Sequence, residues 1–244
     1  RNAAFLLPHL RSGMRLLDAG CGPGSITIGL AEAIAPSEAI GIDANPESIA
    51  AARAMATERS VTNARFDVGD VYALPFEDAT FDAAFCHAVL QHLADPPAAL
   101  REIHRVLKPN GVIGIADADH DGFVMWPRDP LIDRSLELLD TLRQRSGGGD
   151  PRVGKRLREL LHEAGFARGD GSATAEYEGT GDATRMAGEW QARYLEAPPL
   201  VEHAVALGLT THDELAAMAA AWRAWGANPG AFRATFWCEA VAWV

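Results

Sequence analysis

Leu16-Leu17-Asp18-Ala19-Gly20-Cys21-Gly22-Pro23-Gly24-Ser25 is the stretch on which the fold turns. Two apolar residues and an acid read as the end of a buried strand. Alternating glycines then make a tight turn, and a helix begins near Ser25. Glycine adopts backbone angles closed to other residues and carries no Cβ, so backbone N–H groups and a helix N-terminus come close to any ligand there. The plain alternative is a strand-to-helix turn that binds nothing. A dinucleotide site is the sharper rival, but its spacing is G-x-G-x-x-G, whereas Gly20, Gly22 and Gly24 stand as G-x-G-x-G.

Outward from this turn, short apolar runs at 14–17, 39–42, 81–85 and 111–116 are candidate strands, with helical patterns between them. Asn45-Pro46-Glu47 offers an N-cap, a first-turn proline and a first-turn acid. The run 97–107 puts Leu100, Ile103, Val106 and Leu107 on one face, and Lys108-Pro109-Asn110-Gly111 stops it. Strand and helix in alternation predict a parallel sheet covered by helices on both faces.

Beyond it, 131–142 and 151–164 read as helices separated by the breaker Ser146-Gly147-Gly148-Gly149. A weak strand near 173–177 precedes a helical stretch over 182–227. Its last helix opens on the capping box Thr211 to Glu214 and carries Leu215, Met218, Trp222 and Trp225 on one side. Asn228-Pro229-Gly230 ends it, and 232–244 reads as a final strand. The expectation is a single domain over 1–244, with 180–229 a helical insertion before the last strand.

The chain has 244 residues, 48% of them hydrophobic, which is enough for one sizeable core. A formal charge of -11 argues against a nucleic-acid substrate, because phosphates need a basic face. No apolar run approaches the roughly 18 residues of a membrane span, so no membrane partner is expected. Cys21, Cys86 and Cys238 are sparse and odd in number, which suggests free thiols and a cytoplasmic location. The chain opens Arg1-Asn2-Ala3 without a methionine, so an N-terminal segment is expected to be missing.

Further motifs narrow the ligand. Asp43 ends the second candidate strand, where a carboxylate accepts from two ribose hydroxyls, a placement that serves nicotinamide and methionine-derived cofactors alike. Val68-Gly69-Asp70-Val71 then precedes Leu74-Pro75-Phe76-Glu77-Asp78-Ala79-Thr80-Phe81-Asp82. Leu90-Gln91-His92-Leu93 and Leu107-Lys108-Pro109-Asn110-Gly111 follow. In combination, over about 14–117, these motifs resemble class I S-adenosylmethionine-dependent methyltransferases, in the broad group related to ubiquinone and menaquinone biosynthetic methyltransferases. Asn110, in place of the more usual glycine, is a minor departure.

The resemblance implies a Rossmann-like, doubly wound α/β fold with a mostly parallel seven-stranded sheet. It implies S-adenosylmethionine as cofactor and S-adenosylhomocysteine as product. Gly20, Cys21, Gly22 and Gly24 would shape the bed of the methionine part, with Asp18 near its ammonium. Asp43 would hold the ribose and Ala44 would lie beside the adenine. Asp70 would accept from the adenine amino group and the Val71 backbone would reach a ring nitrogen, although Gly-Asp is also common turn chemistry. Cys86 would lend its carbonyl to the ammonium, with His87 next to it.

Methyl transfer is an in-line displacement, so the protein must mainly align acceptor and methyl group, and a base is needed only if the acceptor arrives protonated. His92 is the first candidate base, with a helix-start cap as its plain alternative. His120 is the second: Asp117-Ala118-Asp119-His120-Asp121 follows a strand at the carboxyl edge, where ligands bind open α/β sheets, and three acids around it favour its protonated form. That run also has the ligand types of a divalent cation site, but such loop clusters are more often solvated, and no metal is expected. Trp126, Trp190, Tyr194, Trp222 and Trp225 line either an apolar pocket or a core. The expected partner is a small-molecule acceptor, an apolar or aromatic metabolite, with homodimerisation left open. An NAD-dependent oxidoreductase and a non-catalytic cofactor-binding protein are the alternatives.

Overall fold

β1 (Leu16–Ala19) is buried at all four residues, as a strand covered on both faces must be. In the computed structural model, which describes residues 2–244 apart from the side chain of Ser146, it lies inside a seven-stranded sheet. Arg1, and whatever precedes it, lies outside the described residues. The strand order is β3-β2-β1-β4-β5-β7-β6. β2 (Ala39–Asp43), β3 (Ala64–Val68), β4 (Phe81–His87) and β5 (Leu107–Trp126) run parallel to their neighbours in this part of the sheet. The sheet is completed by β6 (Arg168–Glu178) and β7 (Phe232–Trp243), with one antiparallel hairpin, so it is mostly parallel.

The chain divides into two compact units. The first comprises residues up to 118, 152–174 and 237–244, and the second 119–151 and 175–236. β5, β6 and β7 each pass from one unit to the other along their length.

In the first unit the period-two pattern of the strands sorts side chains onto two faces. Leu17, Ile40, Ile42, Ile113 and Ile115 pack with α3 (Pro96–Val106) and α5 (Leu157–Glu163). Leu16, Ala83, Phe85 and Val112 pack with α1 (Ser25–Ile34) and with Leu6. The predicted caps form: Asn45 Oδ1 accepts from the Glu47 N–H at 2.8 Å and starts α2 (Pro46–Glu58).

The second unit has its own core, in which Met125, Ile132, Leu138, Leu195, Met218 and Trp222 meet. They come from β5, α4 (Pro130–Gly147), α6 (Gly181–Leu195) and α8 (His212–Ala227), with α7 (Pro198–Ala206) adding Ala204. Thr211 Oγ1 accepts from the Glu214 N–H at 3.1 Å, as the capping box predicts. Trp222 Nε1 donates to Ser135 Oγ at 2.9 Å, and Trp225 Nε1 to the Trp126 carbonyl at 3.1 Å. Trp222 and Trp225 are therefore core residues, whereas Trp126, Trp190 and Tyr194 are exposed.

Candidate functional site

The glycine turn is built by three different demands. Gly20 has φ +80°, and a Cβ there would fall 2.2 Å from Val89 Cγ2. Gly24 has φ +78°, and a Cβ there would fall 2.7 Å from Ala52 and Phe66. Gly22 has φ +51° and nothing within 4 Å of its Cβ position. Packing thus accounts for the outer two glycines, and the middle one faces open space.

That middle residue is held by an acid. Gly22 N–H donates to Asp43 Oδ2 at 2.8 Å, and Asn45 N–H donates to Asp43 Oδ1 at 2.9 Å. Asp43 therefore joins the end of β2 to the turn after β1. A carboxylate has about four acceptor positions, so both oxygens keep capacity for a ligand's hydroxyls. Ala44 is exposed beside it.

Asp18 is buried, 2% exposed, and Thr27 Oγ1 on α1 donates to its Oδ2 at 2.6 Å. Burial pushes its carboxyl up to about 7, against the Thr27 hydrogen bond and with help from the charge of Asp43. Burial, aided by Asp18 and Asp43, drives the Cys21 thiol far up. Its sulfur packs where a Cβ on Gly41 would stand, and the thiol donates to the Gly22 carbonyl at 3.6 Å. Cys86 is likewise buried, and burial raises its thiol.

His87 ends β4 with its ring nearly parallel to Trp237, centroids 4.6 Å apart, and to Phe85 at 6.2 Å. Its register partner on β5 is Ala116, whose small side chain leaves room for that stack. Asp70 is exposed and its Oδ1 accepts from the Tyr72 N–H at 2.9 Å, a turn-capping role. Val71 packs against the core. The following segment is pinned to α3: the Leu74 N–H donates to Glu102 Oε1 at 2.9 Å, and Arg105 donates to the Leu74 and Phe76 carbonyls. Sequence reading had not singled out Thr27, Asn45, Glu102 or Arg105 for this duty. An acid and a basic residue three apart on the polar side of α3 are the visible signal.

The two candidate bases have different local settings. His92 is exposed at the end of a short 3-10 turn over Leu90–His92, and its N–H donates to the Val89 carbonyl. Asp117 Oδ2 accepts from the buried Leu90 N–H at 2.9 Å at the start of the same turn.

His120 requires a correction. The run from Asp117 to Asp121 is not a loop after a strand but part of β5. Asp119 is turned to the Asp121 N–H at 3.0 Å, and a Cβ on Gly122 would lie 3.4 Å from the Asp119 carbonyl. The strand therefore bends over 119–122. The histidine meets Asp140 on α4, its Nδ1 3.0 Å from Asp140 Oδ1. Among the described residues no three His, Cys, Asp or Glu side chains gather as a metal site would need. No described helix is long and apolar enough to cross a membrane.

Comparison with known proteins gives this geometry a family. A family model described as a methyltransferase domain matches residues 10–165. A probable methyltransferase, ltbC, of Aspergillus luteorubrus is 30% identical over 99% of this chain and 89% of its own length. The demethylmenaquinone methyltransferase of Staphylococcus aureus (strain JH9) is 36% identical over 64% of this chain and 69% of that protein. An uncharacterized methyltransferase of Schizosaccharomyces pombe, C1B3.06c, is 35% identical over 67% of this chain, which spans 60% of that relative's length. Among solved structures, the YcgJ protein of Bacillus subtilis superposes with TM-score 0.65 at 21% identity, covering 99% of this chain and 97% of that one. With its open Gly22, its Asp43 bridge and this match over more than half its length, the chain belongs to the class I S-adenosylmethionine-dependent methyltransferase family, among relatives of the quinone-biosynthetic methyltransferases.

Proposed function

We propose that the chain transfers the methyl group of S-adenosylmethionine to a small apolar or aromatic acceptor. The observation that carries this reading is the bridge of Asp43 to Gly22 and Asn45 beneath an open glycine turn. The cofactor would supply an electrophilic methyl on a sulfonium. Asp18, with the Gly20, Cys21, Gly22 and Gly24 backbone, would take its methionine part, and the Cys86 carbonyl and His87 would flank it. Asp43 would take the ribose, and Ala44, Asp70 and Val71 the adenine. An aromatic acceptor is supported by the demethylmenaquinone methyltransferases among the relatives. For a protonated acceptor the candidate bases are His92 and His120, and Asp140 holds one ring nitrogen of the latter.

Titration calorimetry should show S-adenosylmethionine and S-adenosylhomocysteine binding and NAD(H) not binding. Asp43→Ala should weaken both by roughly 1–3 kcal/mol, the scale for losing hydrogen bonds to a charged acceptor. Unchanged affinity would remove Asp43 from the site. Turnover is then sought with a radiolabelled methyl donor and a panel of hydroquinones, phenols, carboxylates and amines. Cofactor binding without transfer to any of them would favour a non-catalytic binding protein.

A further inference from the structure

The proposed cofactor contacts follow the order of the strands. Asp70 follows β3, Asp43 ends β2 and the glycine turn follows β1. With the adenine at β3 and the methionine part at β1, the share of the same sheet left to the acceptor is β4, β5 and β7, next in line. Across those three strands lie His87, Ala116 and Trp237, all in the first unit with the glycine turn. Phe85 and Val241 pack on the face that α1 covers, and the period of two puts His87 and Trp237 on that face too. Phe85 is fully buried, but both rings of the pair are half-buried, although they stack at 4.6 Å with only 16° between their planes. The backbone holds the stack at the end of its strand. Ala88 is left-handed at φ +58°, a conformation costly for a residue with a Cβ, and its N–H donates to the Ala116 carbonyl at 2.8 Å. β4 therefore leaves the sheet directly after His87.

We infer that the His87 and Trp237 rings are the platform on which a planar aromatic ring of the acceptor lies, and that Trp237 sets the enzyme's preference for such rings. A flat π system gains stacked or edge contacts with these rings, whereas a saturated ring of equal size gains only apolar contact. His87 would serve both ligands, flanking the methionine part and turning its ring to the acceptor. The inference rests on the reading of the chain as a small-molecule methyltransferase and narrows the acceptor from apolar or aromatic to aromatic.

The test uses the full chain saturated with S-adenosylhomocysteine and two probes of one skeleton, 2-naphthol and decahydro-2-naphthol. Nitrogen-15 spectra resolve the indole N–H signals of the six tryptophans, and Trp237→Phe identifies that of Trp237. Addition of 2-naphthol should shift the Trp237 signal, and 2-naphthol should bind roughly three- to tenfold more tightly than its saturated analogue, the scale of one aromatic pair. Trp237→Leu should bring that ratio close to one without changing affinity for S-adenosylhomocysteine, and Trp237→Phe should keep it. Equal binding of the two probes, or 2-naphthol that leaves the Trp237 signal unmoved, overturns the inference. So does a ratio that survives in Trp237→Leu. In each of these cases S-adenosylhomocysteine still binds and the methyltransferase reading stands, whereas a chain that does not bind it loses both. The wild-type shift and the wild-type ratio decide even if Trp237→Leu does not fold.

Discussion

Asp18 carries a cost that the site would convert into selectivity. Its carboxyl is pushed up to about 7, against an ordinary 3.8, chiefly by burial. A folded-state value above the unfolded one means that the folded chain binds the extra proton between about pH 4 and pH 7. The associated stability is complete below pH 4 and lost as pH rises through 7, by at most about 1.4 kcal/mol per pH unit. Denaturant melts should therefore show Asp18→Asn, which cannot ionise, gaining on the wild type from pH 5 to pH 8. A constant difference across that range would mean that Asp18 is already ionised when folded. If the methionine ammonium settles beside Asp18, binding favours the ionised form and releases a proton near pH 6.5. Calorimetry of S-adenosylhomocysteine binding in buffers of differing ionisation enthalpy would then report proton release in the wild type and none in Asp18→Asn. At the same scale the turn itself is testable. Gly20→Ala must displace Val89 and hold a positive φ, so it should destabilise by roughly 1–3 kcal/mol. Gly22→Ala meets no atom, so beyond its own φ it should act mainly on cofactor affinity; equal effects on the two properties in both variants would erase the distinction.

Among elements, those whose signals are local were legible and those set by distant partners were not. The strand–turn–helix at 16–34 and the caps at Asn45 and Thr211 appear as their residues predict. β3 was missed because Ala64-Arg65-Phe66-Asp67-Val68 has only Phe66 buried, as an edge strand allows, and so lacks an apolar run. The length of β5 was missed for another reason: its polar 117–121 continues a strand because the sheet extends through β7, more than a hundred residues later. The same long-range fact hid Asp140 as a partner of His120. The helical insertion was read, but not that α4 would share its core. Within that core α6 and α8 meet backbone to backbone, since a Cβ on Gly188 would lie 2.5 Å from the Trp222 carbonyl and one on Gly226 2.8 Å from the Thr184 carbonyl. Gly188→Ala should therefore cost roughly 1–3 kcal/mol by forcing the helices apart. Gly29→Ala on α1, where nothing lies within 4 Å, is the control and should be neutral or stabilising. Equal melting temperatures for the two variants would contradict this packing.

At the scale of the whole molecule, the chain divides into two units, each with its own core. The proposed cofactor residues from Asp18 to His87 all belong to the first unit, whereas residues 180–229 belong to the second and are closed by a core of their own. Ion pairs of Arg223 with Glu189 and Glu196 add to that closure. We propose that residues 180–229 act as a cover for the acceptor during turnover, excluding water. Long insertions commonly serve that end. Amides within α6, α7 and α8 are held by that core and are uninformative. The informative amides are those where the chain crosses between units, near 118, 151, 174 and 236. Hydrogen exchange with saturating S-adenosylhomocysteine should slow there by severalfold, in step with slowing over 18–24, because a held body lowers the frequency of local opening. If exchange slows over 18–24 while all four crossings stay as they were, the reading of 180–229 as a cover is overturned.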